Sequence, residues 1–205
     1  MAKGITTYTS SNIQNLKEGS PVALLLHGYG ANEYDLPEIM TGTTPWVSPR
    51  APLSSGGDGF EWYLLTLDNY TPQEEVEKAT EKLWDWIDQT LPKNTPLIPI
   101  GFSQGALMAT QLLRTRPERI AKTILMAGFI MGAKQPADDR LLELKPSVLY
   151  CRGEADNRIS SEMVEKTINW LAEHTKLTPK VYGGLGHSLD NRVIRDLSEY
   201  LTKRA

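Results

Sequence analysis

A chain of 205 residues, 40% hydrophobic and 23% charged, has room for a single large α/β domain over residues 1–205 with a sizeable buried core. Its formal charge of −3 provides no basic face for phosphates, so nucleic acid is excluded as an expected partner. No run approaches the roughly 20 apolar residues of an integral membrane segment, and the polar stretch from Met1 to Ser11 lacks the apolar centre of a secretory leader, so the expected location is cytoplasmic. Cys151 is the only cysteine, which rules out an internal disulfide and a cysteine metal cluster and reads as a small buried hydrophobe.

In chain order, Val22 to His27 is the first apolar run, bounded by Pro21 and Gly28, as expected of a strand buried on both faces. A weaker strand pattern follows at Trp46 to Ser48, and Pro49 to Asp58, rich in Pro, Ser and Gly, reads as a surface loop. Thr71-Pro72-Gln73-Glu74 is a helix start, with Thr71 as cap, Pro72 in the first turn and Glu74 returning the capping bond. Val76, Ala79, Leu83, Trp86, Ile87 and Leu91 then form one apolar stripe, which assigns Trp86 to the core. Further strands are expected at Leu97 to Phe102, Lys122 to Ala127 and Ser147 to Cys151, with a weaker one at Lys180 to Tyr182. Val164, Ile168, Leu171 and Ala172 mark a helix, as do Val193, Ile194, Leu197, Tyr200 and Leu201. Alternation of this kind implies a mostly parallel central sheet flanked by helices, with active groups in loops beyond the carboxyl ends of the strands.

Gly101-Phe102-Ser103-Gln104-Gly105 matches the G-x-S-x-G elbow, in which a sharp strand-to-helix turn exposes a serine hydroxyl. The flanking segments supply the required context: a strand leads in, interrupted by Pro99, and Ala106 to Ala109 lead out into a helical segment ending near Pro117. A serine nucleophile needs a base, and the chain has three histidines. His174 lies in a polar stretch beside Glu173 and reads as solvated; His27, early in the chain, suits a structural or oxyanion-loop role. His187, after Gly183-Gly184-Leu185-Gly186 and before the last helix, is the expected base. The acid should follow a strand between serine and histidine. Asp156 satisfies both conditions, Glu154 is its nearest rival, and Asp138 and Asp139 read as a solvated helix start. Oxyanion donors are expected from the backbone N–H groups of Gln104 and of Tyr29, in the glycine-flanked turn after the first strand. Trp62, Tyr63, Leu64 and Leu65, and Phe129, Ile130 and Met131, are candidate pocket residues for an acyl group.

Taken together, Leu26 to Gly30, Pro49-Arg50-Ala51-Pro52, Trp62-Tyr63, the elbow, Gly128-Phe129, Gly153 to Asp156 and Gly186-His187-Ser188 resemble, in this order, the phospholipase/carboxylesterase family of α/β-hydrolases, which includes acyl-protein thioesterase-like enzymes. The resemblance implies a minimal α/β-hydrolase fold with no large cap domain, and Ser103, Asp156 and His187 at the catalytic positions. It also implies a serine carboxylesterase acting through an acyl-enzyme on small-molecule esters, thioesters or lysophospholipids, with no metal or organic cofactor. A serine peptidase and a non-catalytic receptor on the same fold are the alternatives, and a homodimer formed through exposed apolar surface is open to the chain. Two departures stand out: Trp62-Tyr63 continues into Leu64-Leu65 where many relatives have aspartate, and Arg152 occupies a position before Gly153 where relatives often have histidine.

Overall fold

The structure is a computed structural model that describes residues 7–9, 13–65 and 72–203. Strands β1 (Thr7–Thr9), β2 (Val22–Leu26), β3 (Trp46–Pro49), β6 (Leu97–Phe102), β7 (Thr123–Met126), β8 (Ser147–Gly153) and β9 (Lys176–Tyr182) form one sheet in the order β1-β3-β2-β6-β7-β8-β9. Neighbours from β3 to β9 run parallel, and β1 joins antiparallel to β3 through Tyr8↔Ser48. Between β3 and β6 the chain makes a separate hairpin of β4 (Leu53–Gly56) and β5 (Gly59–Glu61).

All six strands read from sequence are present. β2 and β7 are entirely buried, as continuous apolar runs between two helical layers should be. β9 is longer than its Lys180 to Tyr182 signal because it is an edge strand: Lys176, Pro179 and Lys180 are exposed, and a proline is tolerated where only one neighbour pairs. In β6 the pairing to β2 runs through Leu24↔Pro99, whereas the continuous ladder to β7 starts at Ile100↔Ile124. The segment Pro49 to Asp58, expected to be a loop, instead holds the end of β3 and the whole of β4. Its hairpin turns at Gly57-Asp58, with Gly56 and Gly57 at φ of 106° and 55°.

Helices α1 (Gln73–Thr90), α2 (Gln104–Thr115), α3 (Asp138–Leu144) and α4 (Ser161–His174) contribute to one core layer, and α5 (Asn191–Thr202) covers the other face of the sheet. α1 starts one residue after Pro72, which caps it by its backbone, while the expected cap Thr71 lies outside the described residues. Its buried stripe is Val76, Ala79, Thr80, Leu83, Trp84 and Ile87. Trp84, not Trp86, is the buried indole: Trp86 falls at the margin of the stripe and only packs against the core from its rim. Ala172 likewise faces outward in α4. Cys151 is buried, and burial pushes its thiol up to about 11, so it stays protonated and inert.

Two polar side chains expected at the surface are instead buried. His174 is 8% exposed and stacks on Trp170 with ring centroids 4.2 Å apart. Asp138 does start a helix, but it is not solvated. Its carboxylate takes bonds of 2.9 and 2.7 Å from the Arg114 guanidinium, which also donates to the carbonyls of Met131 and Ala133 and lies over the Trp170 ring. Asp139 is exposed. Arg114 is 1% exposed, so this cluster rivets the chain after β7 to α2. Replacing Arg114 by Met should leave a buried, half-satisfied carboxylate and cost about 3–5 kcal/mol, measured as the shift in a urea unfolding curve.

Candidate active site

Ser103 links β6 to α2 with φ 53° and ψ −116°, a conformation L-residues avoid, and its N–H donates to the Met126 carbonyl at 2.9 Å. The turn exists because the flanking glycines leave no room for side chains. A Cβ on Gly101 would sit 2.2 Å from the Gly105 carbonyl oxygen, and one on Gly105 would sit 1.9 Å from that of Leu26. The start of α2 is thus pressed against the end of β2, and the serine stands at the carboxyl edge of the sheet.

His187, after β9, and Asp156, after β8, reach the same edge. The Ser103 hydroxyl lies 2.9 Å from His187 Nε2, and His187 Nδ1 lies 2.8 Å from Asp156 Oδ2. A carboxylate only accepts, so Nδ1 carries the proton toward Asp156 and Nε2 is left to accept from the serine. Asp156 Oδ1 accepts in turn from the N–H groups of Arg158 at 2.9 Å and Ile159 at 3.4 Å, which fixes the carboxylate in its own loop. The acid loop can approach the histidine loop because residue 153 is glycine: a Cβ there would meet the Leu185 carbonyl oxygen at 2.1 Å. Ala155 N–H binds that carbonyl at 2.9 Å, tying the two loops together. Phe102 packs against the imidazole at 5.1 Å. Glu154, the rival acid, is exposed, and Asp190 caps α5 through the N–H groups of Arg192 and Val193.

The turn holding Tyr29 is fixed by His27, in the structural role expected of it, together with groups not expected there. His27 is fully buried; its Nδ1 donates to the Gly28 carbonyl at 2.8 Å, and its Nε2 accepts from Ala51 N–H at 3.0 Å. Those partners require the neutral ring, and burial holds its pKa below 6.5. The Trp62 indole donates to the His27 carbonyl at 2.9 Å. Phe60 of β5 exchanges bonds with the turn, accepting from Gly30 N–H at 3.0 Å and donating to Ala31 O at 2.8 Å. Arg50 grips buried Glu33 through two bonds of 2.7 and 2.5 Å and covers the Phe60 ring; although burial opposes it, this grip holds the Glu33 carboxyl below its ordinary range. The Gln104 side chain, buried beside the elbow, accepts from Trp62 N–H and donates to the Tyr63 carbonyl, both at 2.8 Å. The Tyr29 and Gln104 N–H groups themselves make no backbone hydrogen bond among the described residues. The missed signal was Gly56-Gly57-Asp58-Gly59, a hairpin turn pattern that places Phe60 and Trp62 under this turn.

The expected pocket residues separate into three groups. Trp62 and Tyr63 are 2% and 1% exposed and belong to the core, which corrects their assignment as pocket lining: their work is to hold the turn above them. Leu64 and Leu65 are exposed. Phe129 and Ile130 are half-buried in the loop that leaves β7, and Met131 is buried beneath them. That loop adjoins the elbow, because a Cβ on Gly128 would lie 2.3 Å from the Ala106 methyl and 3.5 Å from the Ser103 carbonyl oxygen. A groove of about 880 Å³ between α1 and the segment Lys134-Gln135-Pro136 includes none of Ser103, Asp156 and His187.

Because the folded state holds His27 neutral while an unfolded chain protonates it near pH 6.5, its contribution is fully present above that value and lost as pH falls toward the lowered folded pKa. Unfolding free energy should therefore fall by up to about 1.4 kcal/mol per pH unit in that window on account of this one ring. In His27→Asn the acid-side slope should be shallower by that amount, read from urea unfolding between pH 4 and pH 8, chosen as a window of about two units on either side of the transition.

A family profile described as Phospholipase/Carboxylesterase matches residues 10–205. None of the curated sequences compared is similar enough to count as a relative. Among solved structures, a Bacillus cereus carboxylesterase superposes with a TM-score of 0.80 at 22% identity, over 96% of this chain and 92% of that one. Esterase PE8 gives 0.73 at 25% identity, over 97% and 98% of the two chains. Zea mays acyl-protein thioesterase 2 gives 0.71 at 20% identity, over 98% of each. These likenesses bear on the fold, a mostly parallel sheet between helices, while the profile spans nearly the whole chain and carries its kinship: this protein belongs to the phospholipase/carboxylesterase family of α/β-hydrolases.

Proposed function

We propose that this protein is a serine carboxylesterase that hydrolyses esters or thioesters through an acyl-enzyme on Ser103. The observation that carries the reading is the continuous hydrogen-bond chain from the Ser103 hydroxyl through His187 to Asp156, built at one sheet edge by three separate loops. His187 Nε2, unprotonated in this arrangement, takes the serine proton as Oγ attacks the acyl carbonyl, and Asp156 stabilises the imidazolium that forms. The backbone N–H groups of Gln104 and Tyr29 stabilise the tetrahedral oxyanion; the first opens a helix whose dipole also favours negative charge. Collapse expels the alcohol or thiol, which takes the proton from His187. Water then enters, gives its proton to the same nitrogen and releases the carboxylic acid, restoring Ser103.

Phe129 and Ile130, beside the elbow and half-buried, are the side chains best placed to meet an acyl chain.

Ser103→Ala should lower kcat on 4-nitrophenyl butyrate by about ten-thousand-fold or more while its circular dichroism stays that of the parent. A fluorophosphonate should add one equivalent to the parent, at Ser103, and none to the variant; retained esterase activity in Ser103→Ala would refute the assignment. Asp156→Asn should keep the geometry but lose about ten-thousand-fold in kcat, because an amide can leave the imidazole in the wrong tautomer. In the same variant KM should change far less, as seen in initial-rate measurements.

A further inference from the structure

A cavity of about 360 Å³ opens between the acid loop and the first turns of α4, lined by Arg152, Asp156, Ile159, Val164 and Ile168 among others. It touches the acid of the hydrogen-bond chain. Arg152 lies two residues after Tyr150 in β8, so both side chains leave the same face of the sheet, with Arg152 nearer the carboxyl edge. Tyr150, whose phenol burial pushes up to about 12 and so keeps protonated, donates to the Gly128 carbonyl at 3.0 Å. Gly128 abuts the elbow, and two residues on, Ile130 N–H donates to Thr167 of α4 at 3.2 Å, next to Ile168 of the cavity wall. The loop that leaves β7 therefore joins the elbow to the helix that forms one wall of the cavity.

Arg152 is the unusual member of this lining. Its Nε is sealed from solvent and has no acceptor, and its guanidinium forms no ion pair with any described residue. Arg152 as a whole is half-buried, so a sealed donor without an acceptor sits at the root of a guanidinium whose planar fork fits an oxygen anion. Three carboxylates also line the cavity. Asp156 is already committed to His187 and two N–H groups, while Glu154 and Glu165 are exposed, where water and salt screen them. Ile159, Val164 and Ile168 in the same lining offer apolar surface suited to a short methylene chain.

We propose that this cavity is a subsite for a carboxylate carried by the substrate, gripped by Arg152, so that the preferred esters are those of short dicarboxylic acids with one free acid group. The inference rests on the ester-hydrolase reading, and Arg152 acts in it as a specificity residue that takes no part in the proton transfers.

The test compares the 4-nitrophenyl ester of glutaric acid, an anion, with that of its monomethyl ester, which is neutral. The parent should favour the anion, and in Arg152→Met the ratio of kcat/KM for the anion to that for the neutral ester should fall tenfold or more, through KM, with Arg152→Lys recovering part of it. Equal losses on both esters would mean that Arg152 acts on Asp156 or on folding, and would overturn the proposal. Calorimetric titration of the Ser103→Ala chain separates the site from the mechanism. Glutarate should bind there and fail to bind Ser103→Ala/Arg152→Met; preference for 1,5-diaminopentane, or equal glutarate binding in both chains, would overturn the subsite. Should the parent hydrolyse neither ester, the ester-hydrolase reading falls while the glutarate titration still decides the subsite.

Discussion

The contact between the first turn of α2 and the end of β2 governs the rest of the structure. Gly105 lies so close to the Leu26 carbonyl that any side chain there would overlap it, and Gly101 faces Gly105 just as tightly. Helix, strand and serine turn are thereby locked into one arrangement, and the unfavourable φ of Ser103 is held by bonds on both sides of it: its N–H to Met126, and the α2 N-terminus to its carbonyl. Once that turn is fixed at the carboxyl edge of a parallel sheet, the loops after β8 and β9 need only their ordinary exit directions to bring Asp156 and His187 to it.

A second level of organisation lies beneath the Tyr29 turn. The side chain of Gln104 reaches down to Trp62 and Tyr63, Trp62 reaches back to the His27 carbonyl, and His27 is held between Gly28 and Ala51. Phe60 and the Arg50–Glu33 pair brace the same turn from the hairpin side. The two backbone N–H groups assigned to the oxyanion therefore belong to one cross-linked unit, in which the residue after the serine is tied by its own side chain to the scaffold of the other donor. Preorganisation of this kind lets fixed dipoles stabilise developing charge without reorganising during the reaction.

The acid side of the site is built differently. Asp156 is held within its own loop by the Arg158 and Ile159 N–H groups, and the loop is tied to the histidine loop through Leu185. The cavity against α4 shares Asp156 with the site and adds an arginine with a sealed, unbonded Nε and three aliphatic side chains that can serve recognition. On the proposed reading, proton transfer and substrate recognition both draw on this one short loop.

How much of this was legible in the sequence follows from the range of the forces involved. Local and periodic signals were enough for the strands at Val22, Leu97, Thr123 and Ser147, for the stripe of α1, and for the elbow, because burial on two faces and helical spacing are written into neighbouring residues. The order serine, acid, histidine and the strand ends before each also singled out Ser103, Asp156 and His187, which the fold brings within hydrogen-bonding distance. Long-range pairing decided the rest. Trp62 and Tyr63 read equally well as pocket or core until the hairpin turned them inward, Asp138 and His174 seemed solvated until Arg114 and Trp170 met them, and Arg152 was merely an odd residue until α4 closed a cavity over it. The sequence by itself determined the alternation of elements and singled out the candidates for the reacting groups, since both signals lie in near neighbours; only the tertiary structure decided which polar side chains find partners, since those partners are distant in the chain and are selected by packing.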